Sequence, residues 1–419
     1  MIGSLLRRLR QLSRRIHVRV ILFALLVLVA LAMAKPMGPL IPERLGEWIG
    51  ADALDPILAT MASSMLAVTI FSLTIMQSAL ANAASAWTPR SHLILREDTV
   101  THSVLANFLG AYLFALLAII LRAADLFDPR ESVVLFGMTI VVVVIIVVSL
   151  IRWIVHLEGL GSLPFTARVI EREARAALEA AALTPCHGGH ALTDPGTQIP
   201  NDAVAIKARQ AGYLQQIFEP TVQEAAEEHD LRVYIVVSVG QYVLTDEVMA
   251  FVAAHSGAPD PDALTRIGQA MMIDDARSFE QDPVFGLTVL AEIATRALSP
   301  GVNDPGTAID IAHRLTPVLA AARTGVPRKT GVHDRIWSPP LEADRLFDAS
   351  YDPIARYAGS AVEVHRAVLR ALGQVATATQ DDGVREAARA MQARCLERAR
   401  AAIRFEADLE ALEQAVQQT

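Results

Sequence analysis

Between residues 277 and 313 the chain gathers groups that could act on a substrate or hold a hard cation: Glu280, Asp282, Glu292, Asp304, Asp310 and His313, with Ser299 and Asn303 in the same run. Carboxylates offer oxygen ligands to such cations, and an imidazole titrates near neutral pH. The spacing is neither that of an EF-hand loop nor that of a metallopeptidase helix. Ser299 has no G-x-S-x-G frame around it, so it is not a nucleophile elbow. No glycine-rich phosphate loop or dinucleotide signature occurs anywhere in the chain. Cys186, His187 and His190 stand close together in "TPCHGGHALTDPGTQIP" (184–200) but have no fourth ligand at recognisable zinc spacing. The sequence therefore assigns no catalytic residue and no metal site, and it names no cofactor.

A second polar set has a different character. In "PILATMASSMLAVTIFSLTIMQSALANAAS" (56–85), Thr60, Ser63, Ser64, Thr74, Ser78 and Asn82 fall within one arc of a helix. At 100° per residue that arc is about 100° wide. Such a stripe lines a water-filled path across a bilayer, or it forms a close seam in which small residues let two helices approach. No full charge lies in the middle of any apolar segment, so neither a proton relay nor a gating charge is evident.

The elements that carry these residues begin with four apolar segments, roughly 18–34, 57–80, 104–121 and 132–151. The last, "SVVLFGMTIVVVVIIVVSLI", has no charged residue over a length that crosses the hydrocarbon as a helix of about 20 residues. Overall, 53% of the 419 residues are hydrophobic but only 5% aromatic. Before the first segment stand Arg7, Arg8, Arg10, Arg14, Arg15 and Arg19 with no acid among them. The loop at 35–56 and the turn at 122–131 are acid-rich. Basic flanks stay on the cytoplasmic side, so both termini are expected in the cytoplasm and the protein in the inner membrane, with the lipid bilayer as its first partner. "ALAMA" before Lys35 also fits a signal-peptide cleavage site; cleavage would leave three spans and the same cytoplasmic carboxy-terminal region. The net charge of -8, with no basic patch beyond the first twenty residues, argues against nucleic acid as a partner. Two cysteines, Cys186 and Cys395, make no disulfide framework.

Beyond the spans, "TARVIEREARAALEAAAL" (166–183) predicts a helix, and the Pro- and Gly-rich 184–200 a linker. β-branched runs within 203–250, flanking the acidic stretch "EPTVQEAAEEHD", predict two strands around a short helix, with a further strand over 267–273. Helices are expected over 284–298, 305–323, 352–373 and 381–416. In "ALSPGVNDPGTAID" (297–310), Pro300 and Gly301 stop one helix, and Asp304–Pro305 caps the next; Asp282–Pro283 repeats the device upstream. Two capped starts suggest helix ends in a common region, a rigid junction holding Asn303, Asp304 and Asp310 together. The expected fold is an α-helical membrane domain with four transmembrane helices, followed by a soluble α+β domain built of a small β element and several helices. Its parts are a basic cytoplasmic N-terminus (1–17), the four-span domain (18–155), a connecting helix and linker (156–200), a β-containing module (201–275) and a mainly helical region (276–419).

"RSFEQDPVFGLTVLAEIATRALSPGVNDPGTAID" (277–310) closely resembles the signature of a bacterial family of predicted membrane proteins, domain of unknown function 2254. "FSLTIMQSALANAASAWTPR" (71–90) is similar to that family's second-span ending, with Thr88–Pro89–Arg90 where Ser-Pro-Arg is usual. "GYLQQIF" (212–218) and "VGQYVLTDEV" (239–248) resemble its soluble β region, with Asp246 where a second Gly is expected. The resemblance implies membership over nearly the whole chain and brings no catalytic residue, cofactor or substrate. Three functional expectations follow from the residues: a homo-oligomeric assembly passing a small ion or solute, with a regulatory cytoplasmic domain; a membrane-anchored sensory scaffold for a soluble ligand or partner; and a membrane enzyme using the acidic groups near 280–313.

Overall fold

A computed structural model describes residues 16–42, 51–86, 88, 90, 99–128, 130–159, 162–325 and 332–417. The basic residues Arg7 to Arg15, and Glu43, Arg44 and Glu47 of the first loop, lie outside the described residues. The chain divides into two compact units, 1–166 and 167–419.

In the first unit, α1 (Ile16–Met37), α2 (Ala51–Ala86), α3 (Thr99–Ala123) and α4 (Glu131–Gly159) each contain a window long and apolar enough to cross a membrane. Helices suit that solvent because every backbone hydrogen bond is satisfied within the segment. α3 is the hub and packs against the other three. Its inward residues alternate in size, with Ala106, Ala111, Ala115 and Ala118 buried beside Phe108 and Phe114. Gly110 lets α1 come close: a Cβ there would sit 2.7 Å from the Phe23 side chain. Ile21, Leu25 and Leu28 of α1 and Val144, Val148 and Ile151 of α4 turn outward. Polar groups pair across the interior instead. Asn107 donates to Ser149 Oγ at 2.8 Å, Thr101 Oγ1 lies 3.3 Å from His156 Nε2, and Lys35 bonds Glu131 at 2.9 Å.

The second unit continues along α5 (Leu163–Leu183) and enters a two-sheet module. In order come β1 (His190–Ala191), α6 (Pro195–Gln198), β2 (Val204–Lys207), β3 (Gly212–Ile217), α7 (Glu219–Glu228), β4 (Leu231–Ile235), β5 (Tyr242–Val243), β6 (Val248–Ala254), α8 (Pro261–Gln269) and β7 (Met271–Asp274). Then follow α9 (Phe285–Ala297), α10 (Pro305–Ala320), β8 (Ile336–Ser338), α11 (Ala343–Tyr357), α12 (Val362–Ala378), α13 (Asp382–Ala402) and α14 (Glu406–Gln417). One sheet runs β1-β8-β4-β6-β2, with β8 parallel to both its neighbours; the other is the antiparallel β5-β3-β7. Leu214, Ile217, Val233, Val252 and Ile267 fill the core between them. The helices from α9 onward bury Phe285, Leu290, Leu315, Phe347, Tyr351 and Leu372.

Several local expectations change. The stretch 184–200 is not a loose linker: Cys186 and Gly188 are buried, and His190–Ala191 pairs with β8. β7 starts only at Met271, because Asp260 caps α8 and holds 261–269 helical. The helix expected over 352–373 is two helices. Gly359, at φ +55°, closes off α11 before α12 starts at Val362. The helix expected over 381–416 also breaks, where extended Ile403 turns inward and α14 folds back, burying Leu412 and pairing Arg400 with Glu413 at 2.7 Å. Asp246 adopts φ +67°, the conformation glycine favours, and its N–H bonds Ala208 O at 2.9 Å.

Candidate functional site

The residues of α2 that pack on the rest of the first unit, Leu54, Leu58, Met61, Met65 and Ser72, recur at helical spacing along one seam. The polar arc is centred about 130° around the helix from that seam, at 100° per residue. Thr60, Ser63, Thr74, Ser78 and Asn82 are accordingly exposed in the single chain, and Ser64 is half-buried. Three of these hydroxyls bond back into their own helix: Ser63 Oγ to Ala59 O at 3.0 Å, Ser64 Oγ to Met61 O at 3.4 Å and Thr74 Oγ1 to Ile70 O at 3.0 Å. Those three donors are thereby satisfied, while their oxygens keep acceptor capacity toward whatever faces them.

The junction at 297–310 is held almost wholly by its own hydrogen bonds. Ser299 Oγ donates to Arg296 O at 2.6 Å, and Ser299 O accepts from Val302 N and Asn303 N. Asn303 takes the left-handed conformation, φ +49°, and Asp304 N returns to Ala297 O at 2.8 Å. Asp304 then caps α10, accepting from Thr307 N at 3.0 Å and Thr307 Oγ1 at 2.6 Å. These two bonds hold its carboxyl below the usual value. Asp310 is spent on Arg314 at 2.7 Å, and Arg314 also reaches Glu171 of α5 at 3.3 Å. His313 is exposed on the next turn. Among the described residues no three His, Cys, Asp or Glu side chains converge on a metal position.

Asp282 is placed differently. It precedes α9 while Asp304 follows it, so the two capped starts stand at opposite ends of a 13-residue helix, about 20 Å apart at 1.5 Å per residue. Asp282 is only 1% exposed. One carboxylate oxygen accepts from Val284 N at 3.1 Å and Phe285 N at 3.0 Å; the other receives Arg277 Nε at 2.8 Å and Nη2 at 2.7 Å. Arg277 lies 4.8 Å over the Phe285 ring. Burial pushes the carboxyl above its usual value, against the opposing pull of the guanidinium and the two backbone N–H groups. Gly240, at φ +85°, abuts the pair, and a Cβ there would land on the Asp282 carboxylate. The adjoining Gln281 completes an edge of β3, accepting from Ile217 N at 2.9 Å and donating to Ile217 O at 3.1 Å. Segment 277–285 thus fastens the β module to the start of α9.

The profile of the predicted membrane protein family DUF2254 matches residues 10–374. The chain belongs to this family. Uncharacterized proteins Mb1321c of Mycobacterium bovis and Rv1290c of Mycobacterium tuberculosis are each 32% identical to it over 185 residues. The match covers 42% of the chain and 36% of each relative, so it spans about a third of the length of these curated relatives. No solved structure matches. In DUF2254 terms, the polar arc of α2, the Arg277–Asp282 fastening and the 297–310 junction all fall within the matched residues; α13 and α14 lie beyond them. Sequence reading had singled out Asp282 but not Arg277 or Gln281. Only the five-residue spacing of Arg277 and Asp282 hinted at their pairing, and nothing in the sequence pointed Gln281 toward the backbone of Ile217.

Proposed function

We propose that this DUF2254 protein is an inner-membrane homo-oligomer in which the α2 helices of several copies surround a path for a small ion or solute. The observation that carries this reading is the direction of the α2 arc, which faces away from the chain's own bundle. In lipid, hydroxyl oxygens exposed to acyl chains lose every partner except their own helix, whereas copies arranged around an axis give them water or one another. The acid-free run of arginines before α1 supports cytoplasmic termini, and the second unit is then a cytoplasmic regulatory domain. The test uses the full chain in liposomes. Flux of a small ion that Ser63→Leu and Ser78→Leu abolish, together with disulfide-linked dimers of a Ser63→Cys variant, supports the reading. No flux under varied voltage, pH and tension, with Ser63→Cys remaining uncrosslinked, refutes it and leaves the four helices as an anchor for a sensory scaffold.

A further inference from the structure

A cavity of about 870 Å3 opens in the second unit, where the α5–β1 turn, the start of α7 and the start of α13 meet. Its volume lies within the range of small-molecule sites. Its wall includes His187, Glu219, Ser238, His333, Arg323 and Arg345.

Three independent features mark it as built. The first is conformational. Cys186 (φ +51°), His187 (φ +56°) and Gly188 (φ +73°) form a left-handed run. L-residues adopt that backbone at a cost, and it persists where the surroundings over-determine it. Here it brings His187 Nδ1 to 2.8 Å from Glu219 Oε1, an oxygen that Gln281 Nε2 also reaches at 3.3 Å. Burial acts to raise the Glu219 carboxyl, but the bond from His187, the backbone and the charges of His187 and His333 outweigh it and hold the carboxyl low. An ionised carboxylate only accepts, so His187 Nδ1 carries the proton. His187 Nε2 then has no hydrogen-bond partner among the described residues.

A second imidazole supplies the next feature. His333 packs its Cδ2 edge against Gly188, and its Nδ1 is buried with no hydrogen-bond partner. The third feature is charge. Arg345 donates only to Ser238 Oγ, at 3.2 Å; Arg323 bonds the carbonyls of Ala321 and Ala322 and the side chain of Gln380. Neither guanidinium lies within ion-pair distance of an acid among the described residues, although the charge of Arg323 helps to hold the Asp381 carboxyl low. Acids on the same wall are already engaged: Asp381 with Thr324 N, Thr324 Oγ1 and Val384 N, Asp382 with Arg385, and Glu219 with His187, leaving only exposed Glu280. Burial pushes the neighbouring Cys186 thiol up to about 11, so the cavity offers no thiolate nucleophile.

We infer that this cavity binds a small organic oxyanion of nucleotide size, its phosphate or carboxylate received by Arg323 and Arg345 and its ring or hydroxyl groups by His187 Nε2, with His333 backing the turn that presents it. Guanidinium donors in a planar fork match the oxygens of either group, and His187 Nε2 adds a directional contact that a bare anion would not use. The site does not depend on whether the membrane unit conducts. Calorimetry on the full chain in nanodiscs, with ATP, citrate and inorganic phosphate as separate probes, tests it. Saturable binding of ATP or citrate is expected, weakened at least about tenfold for each arginine removed as Arg323→Gln or Arg345→Gln. Preference for ATP assigns the group to phosphate, preference for citrate to carboxylate. His187→Ala should weaken the organic probes while leaving inorganic phosphate unchanged. Absence of saturable binding by all three at millimolar concentration overturns the inference, as does binding that survives in an Arg323→Gln, Arg345→Gln double variant whose melting is normal.

Discussion

Arg277→Ala and Asp282→Ala each break the same buried contact, yet their consequences should differ with pH. The Asp282 carboxylate is 1% exposed and receives two N–H groups from Arg277 at 2.8 and 2.7 Å. Removing one partner of such a pair costs about 3–5 kcal/mol, chiefly because the other charge stays buried without compensation. In a unit of this size that is a fall in melting temperature of about 6–20 °C. Arg277→Ala leaves the carboxylate behind. Its folded value is already raised by burial, and loss of the guanidinium raises it further. The folded state then favours the protonated form, so the carboxyl's contribution is best below its unfolded value of about 4. That contribution disappears as pH rises through the folded value. The deficit of Arg277→Ala should therefore grow from acid toward neutral pH. Asp282→Ala removes the titrating group, together with the two N–H bonds at the start of α9; because the wild-type carboxyl is itself raised, its deficit should shrink rather than grow toward neutral pH. Trp337, stacked on Tyr234 at 5.0 Å and His190 at 4.6 Å, reports the second unit if Trp48, Trp87 and Trp153 are replaced by Phe. Melting of the full chain in detergent, followed by this fluorescence, measures both variants. Equal and pH-independent losses, or an Arg277→Ala shift below about 2 °C, would refute the account of a charge held by its partner.

Three further outcomes are expected. Gly240→Ala should destabilise the second unit by about 1–3 kcal/mol, since the residue is left-handed and the new Cβ falls on Asp282; chemical denaturation measures it. Asp304→Ala should cost about 1 kcal/mol through the lost cap of α10. Because the Asp304 carboxyl is lowered in the fold, its stabilisation is present above its unfolded value and lost as pH falls through the folded one; denaturation of the wild type and the variant should converge in acid. Cys186 and Cys395, with thiols pushed up to about 11 and about 12, should resist iodoacetamide in the folded protein and react on unfolding, which mass spectrometry follows.

The chain's own letters determined the membrane helices, because an uninterrupted apolar run of that length has few other stable environments. The capped starts at Asp282 and Asp304 were legible for a similar reason: both accept backbone N–H groups near the helix starts that follow them, and such bonds reach only two or three residues ahead; the same device at Asp260 was not read. The breaks at Gly359 and Ile403 were not legible, since helix periodicity continues across both and only the packing of α12 and α14 decides where the chain must turn. Likewise, 184–200 has the composition of a loop, and its order comes from β8, more than a hundred residues later in the chain.

For the functional residues the division is sharper. Spacing alone placed Thr60, Ser63, Ser64, Thr74, Ser78 and Asn82 on one arc, because helical geometry is local. Which way that arc faces depended on where Leu54, Leu58, Met61 and Met65 found α3, and only the tertiary structure decides that. His187, Glu219, Gln281 and His333 are spread over nearly 150 residues, and no periodicity links them. They meet because a left-handed turn, a helix start and two loops pack against one another, with Gln281 reaching Glu219 from the segment that Asp282 and Arg277 hold in place.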